Sequence, residues 1–146
     1  MLGAQLVIHF FAALCTGLVI LVVGIFAFDT GPGAMTWGWL LTLVLTIPAL
    51  LGLGLFVAAV TPTSKVAGAV GTVLFFPLMF GAGLWAPRAA MPDAMRAICD
   101  WSPLGAANRA MSATLAGTTP PVFALLALVA YAVVLWLLAV RLFRWS

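Results

Sequence analysis

Four stretches of this chain are each about as long and as apolar as a bilayer is thick: Gln5–Phe28, Met35–Val60, Val66–Ala86 and Val122–Leu142. A helix needs about 20 mainly apolar residues to cross the roughly 30 Å hydrocarbon layer. Runs of this kind leave few folds open. Their apolar residues are continuous and do not alternate, so they read as helices and not as barrel strands, the other structure that satisfies its backbone in lipid. The first run has no basic leader and is too long for the core of a secretion signal, so it reads as a retained span. Composition agrees. Charged residues make up 6% of the 146 residues, against about 25% in soluble domains, too few to cover a water-facing surface. The net charge of +3 is small and dispersed, which argues against nucleic-acid binding.

The breaks between runs have local causes. Asp29-Thr30-Gly31-Pro32-Gly33 ends the first, Thr61-Pro62-Thr63-Ser64 the second and Pro87 the third, while Pro120-Pro121 opens the fourth. Proline and glycine do not sustain the helical ladder, and hydroxyl side chains cap the next helix. Trp37, Trp39, Trp85 and Trp145 fall at run ends, where an indole is half in lipid and half in water. Trp136 falls inside the fourth run and is expected to pack.

The long connection has structure of its own. Met91-Pro92-Asp93 starts a short helix with Met95, Ile98 and Cys99 on one face, and Asp93, Arg96 and Asp100 on another. Arg96 stands at helical spacing from both carboxylates. Ser102-Pro103 caps and opens a second helix, lined on one side by Leu104, Ala107, Met111 and Leu115 and stopped by Gly117. Both are too short to span. They form a hairpin over Met91–Gly117 that lies at the interface or dips in and returns. With four spans, Lys65, Arg141 and Arg144 share one side and Arg88, Arg96 and Arg109 the other. Basic residues alone tie, and we expect Lys65 and the tail to be cytoplasmic.

No catalytic constellation is present. His9 stands alone, Cys15 and Cys99 lie at different depths, no metal-ligand spacing occurs, and no GxxxxGK[ST] phosphate loop is found. The chain is expected to be no enzyme and to bind no cofactor. No Asp, Glu, Lys or Arg sits centrally in a run, whereas ion-coupled carriers place one at membrane depth. Asp29 comes nearest, at a helix end. Pro48 and Pro77 interrupt the second and third runs. Phe75, Phe76 and Phe80 surround Pro77, with Gly81 and Gly83 beyond, and this group is the candidate hinge or pathway. Pro92, Arg96, Pro103 and Arg109 mark the candidate external hairpin.

The order of Phe76-Pro77-Leu78, Gly81-Ala82-Gly83, Pro87, Met91-Pro92, Ile98, Pro103-Leu104, Arg109 and Leu115-Ala116-Gly117 resembles the C-terminal half of a bacterial type-2 ABC exporter permease. The resemblance implies a multi-pass protein of the bacterial cell membrane. Its partners would be a second permease copy, membrane lipids and a separate ABC ATPase subunit that carries the ATP. The cargo would be of drug, lipid or glycan type. It implies that the hairpin caps the pathway and that the third run lies near the dimer centre. Such permeases have two further spans and a coupling helix before the region resembling Gln5. The 1–146 domain is therefore expected to lack those two spans and not to transport by itself. Two other readings fit the residues less well: a non-transporting assembly or regulatory membrane protein, and a four-helix multidrug carrier that would need a buried carboxylate.

Overall fold

A computed structural model of the chain describes residues 2–28, 37–83, 85 and 90–143. It is all-helical, with the order α1 (Leu2–Phe28), α2 (Trp37–Val60), α3 (Ser64–Gly81), α4 (Asp93–Trp101), α5 (Pro103–Leu115) and α6 (Val122–Phe143). Four of these, α1, α2, α3 and α6, are long and apolar enough to cross a membrane. The turn expected at Asp29–Gly33, together with Pro87, Arg88, Arg144 and Trp145, lies outside the described residues.

The α2–α6 pair forms the spine, and α5 packs into it. Ala49 of α2, Ala106, Ala107 and Ala110 of α5, and Ala124 and Leu128 of α6 form one buried cluster. Most of these residues are alanine for a physical reason. Lipid tails are as apolar as leucine, so spans associate through close van der Waals packing, which small residues permit. Gly38 and Gly52 do the same. A methyl group on Gly38 would lie 2.8 Å from Thr114 Cγ2 and 2.8 Å from Pro120 Cδ. One on Gly52 would lie 2.8 Å from Trp136 Cδ1. A second cluster joins α1 to α2 through Leu21, Trp39, Leu43 and Ile47. The buried Thr42 and Thr46 hydroxyls donate to the carbonyls of Gly38 and Thr42, both at 2.7 Å, and so enter the core satisfied.

Three expectations need correction. The third span was expected to run to Ala86, but α3 stops at Gly81. Gly83 takes a left-handed φ of 78°, which turns the chain, and the Asn108 side-chain amide donates to the Ala82 carbonyl that the helix leaves free. Its other end follows the expected chemistry, with the Thr63 hydroxyl accepting from Val66 N–H at 3.3 Å. Second, the buried face of α5 is Pro103, Ala106, Ala107, Ala110 and Thr114, and Leu115 is exposed. Close approach to α2 and α6 selects for small side chains where bulk was expected. Third, Trp39 is buried at 7% exposure while Trp37 stays exposed at 86%, so one of the two indoles at the start of α2 belongs to the core.

The hairpin termini match their sequence signals. Ser102 Oγ accepts from Gly105 N–H at 3.0 Å, and Pro103 opens α5. At the far end Gly117 N–H donates to Thr114 O and Thr118 N–H to Ala113 O. With Gly117 at φ 75°, this is a Schellman stop.

Candidate functional site

The α4–α5 hairpin lies alongside the spans and not across their ends. Tyr131, which donates to the Trp101 carbonyl, is nine residues into α6, about 13 Å along its axis. The tip, Trp101-Ser102-Pro103, is therefore held well down the bundle. From there α5 climbs back along α2, from the level of Ala49 to that of Gly38. The tip fits because residue 105 is glycine: a methyl group there would overlap the Cys99 carbonyl. Trp101 also packs edge-on against Phe123, with ring centroids 5.2 Å apart.

Charge clusters on the hairpin. Arg96 pairs with Asp93 at 3.4 Å and donates to the Met91 carbonyl at 3.1 Å. Arg109 meets Asp100 at 3.4 Å and so ties α5 to α4. The Asp93 pair is exposed and contributes little, about 0–1 kcal/mol. Of the apolar trio expected on one face of α4, only Cys99 is buried, while Met95 and Ile98 are exposed. Pro92 is the N-cap residue of α4 and Pro103 the first residue of α5.

Between α2, α3 and the hairpin tip runs an apolar crevice. Its first part, about 360 Å³, is lined by residues that include Leu50, Leu53, Gly54, Gly71, Leu74 and Phe75. Its second part, about 290 Å³, is lined by residues that include Pro77, Gly81, Ile98, Cys99, Ser102 and Tyr131. The two parts share Leu53, Leu74 and Leu78 as walls, so they lie end to end along α3. No charged side chain lines either one.

Of the candidate pathway residues, Phe75, Pro77 and Gly81 thus come together on the crevice. Phe76 is exposed and is not among its lining residues, and Phe80 is half-buried. Among the described residues, no ring stacking joins Phe75, Phe76 and Phe80. Gly83 makes the turn after α3. The helix passes through Pro77 without interruption.

Of the residues that hold this site, Ser102 is legible in the sequence as a helix cap, and Asn108 and Tyr131 are not. Asn108, Tyr131 and Ser102 bond to Ala82, Trp101 and Cys99. A polar side chain inside an otherwise apolar helix is the signal that could have found Tyr131, whereas Asn108 stands in the mixed α5 beside Arg109 and close to Ser112. Among the described residues, no group of three or more His, Cys, Asp or Glu could hold a metal.

The model of the family described as ABC-2 type transporter matches residues 1–116, from the start of α1 through the hairpin. No curated protein and no solved structure matches the chain.

Proposed function

The chain belongs to the ABC-2 type transporter family, and from that premise we propose that it is the C-terminal part of a permease subunit of an ATP-driven exporter in a bacterial cell membrane. Membership makes it a multi-pass membrane permease of an ABC-type transporter that is not itself catalytic, and such permeases work with ATPase subunits. The rest is our reading. A separate ABC ATPase supplies the energy, a second permease copy completes the pathway, and the cargo is of drug, lipid or glycan type. Lys65 faces the cytoplasm, and the hairpin bearing Pro92, Arg96, Pro103 and Arg109 faces outward.

One observation carries the borrowed-energy reading. Among the described residues, no Asp, Glu, Lys or Arg lies between the first and last turns of the four spans, and the charges that the hairpin carries beside them meet opposite charges, Arg96 with Asp93 and Arg109 with Asp100. A carrier coupled to protons or ions needs a group at that depth free to titrate or to take the ion. A permease driven by a neighbouring ATPase does not. The crevice along α3, and the exposed Phe75 and Phe76 beside it, are the surfaces best suited to meet an apolar cargo.

Affinity purification from detergent-solubilised membranes tests the partnership. An ABC ATPase should be recovered with the tagged chain in stoichiometric amount. Recovery of the chain with no ATPase, under conditions that preserve other membrane complexes, would count decisively against it.

A further inference from the structure

We propose that the Asp100–Arg109 side of the hairpin borders a water-filled recess reaching into the membrane, while the opposite side of α4 faces lipid. The proposal rests on membrane immersion, and not on the cargo, the ATPase or the membrane face from which the hairpin enters.

The ion pair lies below the membrane surface. A methyl group on Gly38 would meet Thr114, so Thr114 stands level with the first turn of α2. Arg109 precedes Thr114 and lies about 7.5 Å further in along α5, and Pro103 at the tip lies about 16 Å further in. Asp100 comes just before the tip in the chain, and Arg109 reaches back towards the tip to meet it. The pair is therefore roughly 10 Å into a leaflet whose tails span about 15 Å.

That depth decides what surrounds it. A guanidinium carries several N–H donors, and among the described residues the Asp100 carboxylate is the acceptor that Arg109 meets. The Arg109 side chain stays 46% exposed. Hydrocarbon offers its other donors no acceptor, and charges at membrane depth face the bundle interior or a water-filled cavity. An arginine near the boundary escapes by extending its head outward to the headgroups. Arg109 extends the other way, inward to Asp100. Water is the acceptor that can follow it there.

The two sides of α4 agree. Asp93, Ala97 and Asp100 fall along one side at helical spacing, with Arg96 next to them, and the Asp93 side chain at the outer end is almost fully exposed. This polar line runs from the outer end of α4 to the ion pair. Met95, Ile98 and Trp101 fall opposite and are exposed as well. Lipid all round would strand the charges, and water all round would strand three large apolar side chains.

The test uses membrane fragments containing the full chain with its native partners and Cys15 replaced by serine, so that a reagent reaches both membrane faces. Single cysteines replace Ala97 and Arg109 on the wet side, and Ile98 and the exposed Leu126 of α6 on the dry side. The probe is a membrane-impermeant methanethiosulfonate carrying a quaternary ammonium, which reacts with the thiolate, a form that needs a polar surrounding. Peptide mass spectrometry locates the label. We expect Ala97→Cys and Arg109→Cys to react at least tenfold faster than Ile98→Cys and Leu126→Cys. Ala97→Cys keeps the ion pair, so it reads the recess even where Arg109→Cys disturbs folding. Reaction at Ala97→Cys no faster than at Ile98→Cys overturns the recess. So does slow reaction at Arg109→Cys in a protein that elutes as wild type, which would mean that another protein segment seals the pair.

Discussion

The indole N–H of Trp136 donates to the carbonyl of Pro48 at 3.0 Å, from the middle of α6 to the middle of α2. The contact is possible because Gly52, one turn beyond Pro48, has no side chain where the indole lies. Pro48 lacks the N–H that would reach the Val44 carbonyl, and its own carbonyl, on the other side of the residue, takes the indole N–H from α6. Trp136→Phe should therefore lower stability by about 1 kcal/mol, the range for such bonds between spans. Gly52→Ala should cost more, about 1–3 kcal/mol from overpacking. Thermal unfolding in detergent should show that the two effects are non-additive, with the cost of Gly52→Ala reduced once Trp136 is alanine and a residual cost left by Leu135 Cβ at 3.2 Å. Additive losses would mean that these residues do not meet.

Gly105→Ala is predicted to be among the most damaging single-methyl changes in the chain. Its neighbour is the Cys99 carbonyl, a backbone atom that cannot rotate away. The cost should reach the top of the roughly 1–3 kcal/mol overpacking range, whereas Gly71→Ala should be close to neutral. A melting-temperature comparison of the two variants decides this.

Tyr131→Phe removes the hydroxyl that holds the hairpin tip through Trp101. We expect a loss of about 1 kcal/mol and faster modification of Cys99, which is 7% exposed in the folded chain. Maleimide labelling at Cys99, with Cys15 replaced by serine, checks it. An unchanged labelling rate would mean the tip is held by other contacts.

Pro77→Ala tests the candidate hinge. Residue 77 lines the crevice within an unbroken helix. If its missing N–H lets α3 bend during transport, the variant should insert normally and export at a clearly lower rate in the assembled transporter. Full export at normal abundance would remove that role.

Much of this arrangement is local and therefore readable from one chain. The spans follow from continuous apolar runs, and the hairpin ends from Ser102-Pro103 and Gly117, whose effects act within a turn. What was misread depends on residues distant in sequence. The end of α3 is set partly by Asn108, 26 positions away. The buried stripe of α5 is alanine because α2 and α6 approach closely, a demand that α5 alone does not announce. Trp39 looks like an interface residue until Leu21 of α1 packs beside it. The crevice arises from facing absences at Gly54 and Gly71 on different helices, which no local pattern displays.

ATP-dependent transport by the complete system, reconstituted in proteoliposomes, tests the central claim most directly. The account predicts cargo movement only when the chain and a hydrolysis-competent ABC ATPase are both present. Movement should stop when the ATPase is inactivated, whatever ion gradient is applied. Transport that continues on an ion gradient alone, without the ATPase, would contradict it.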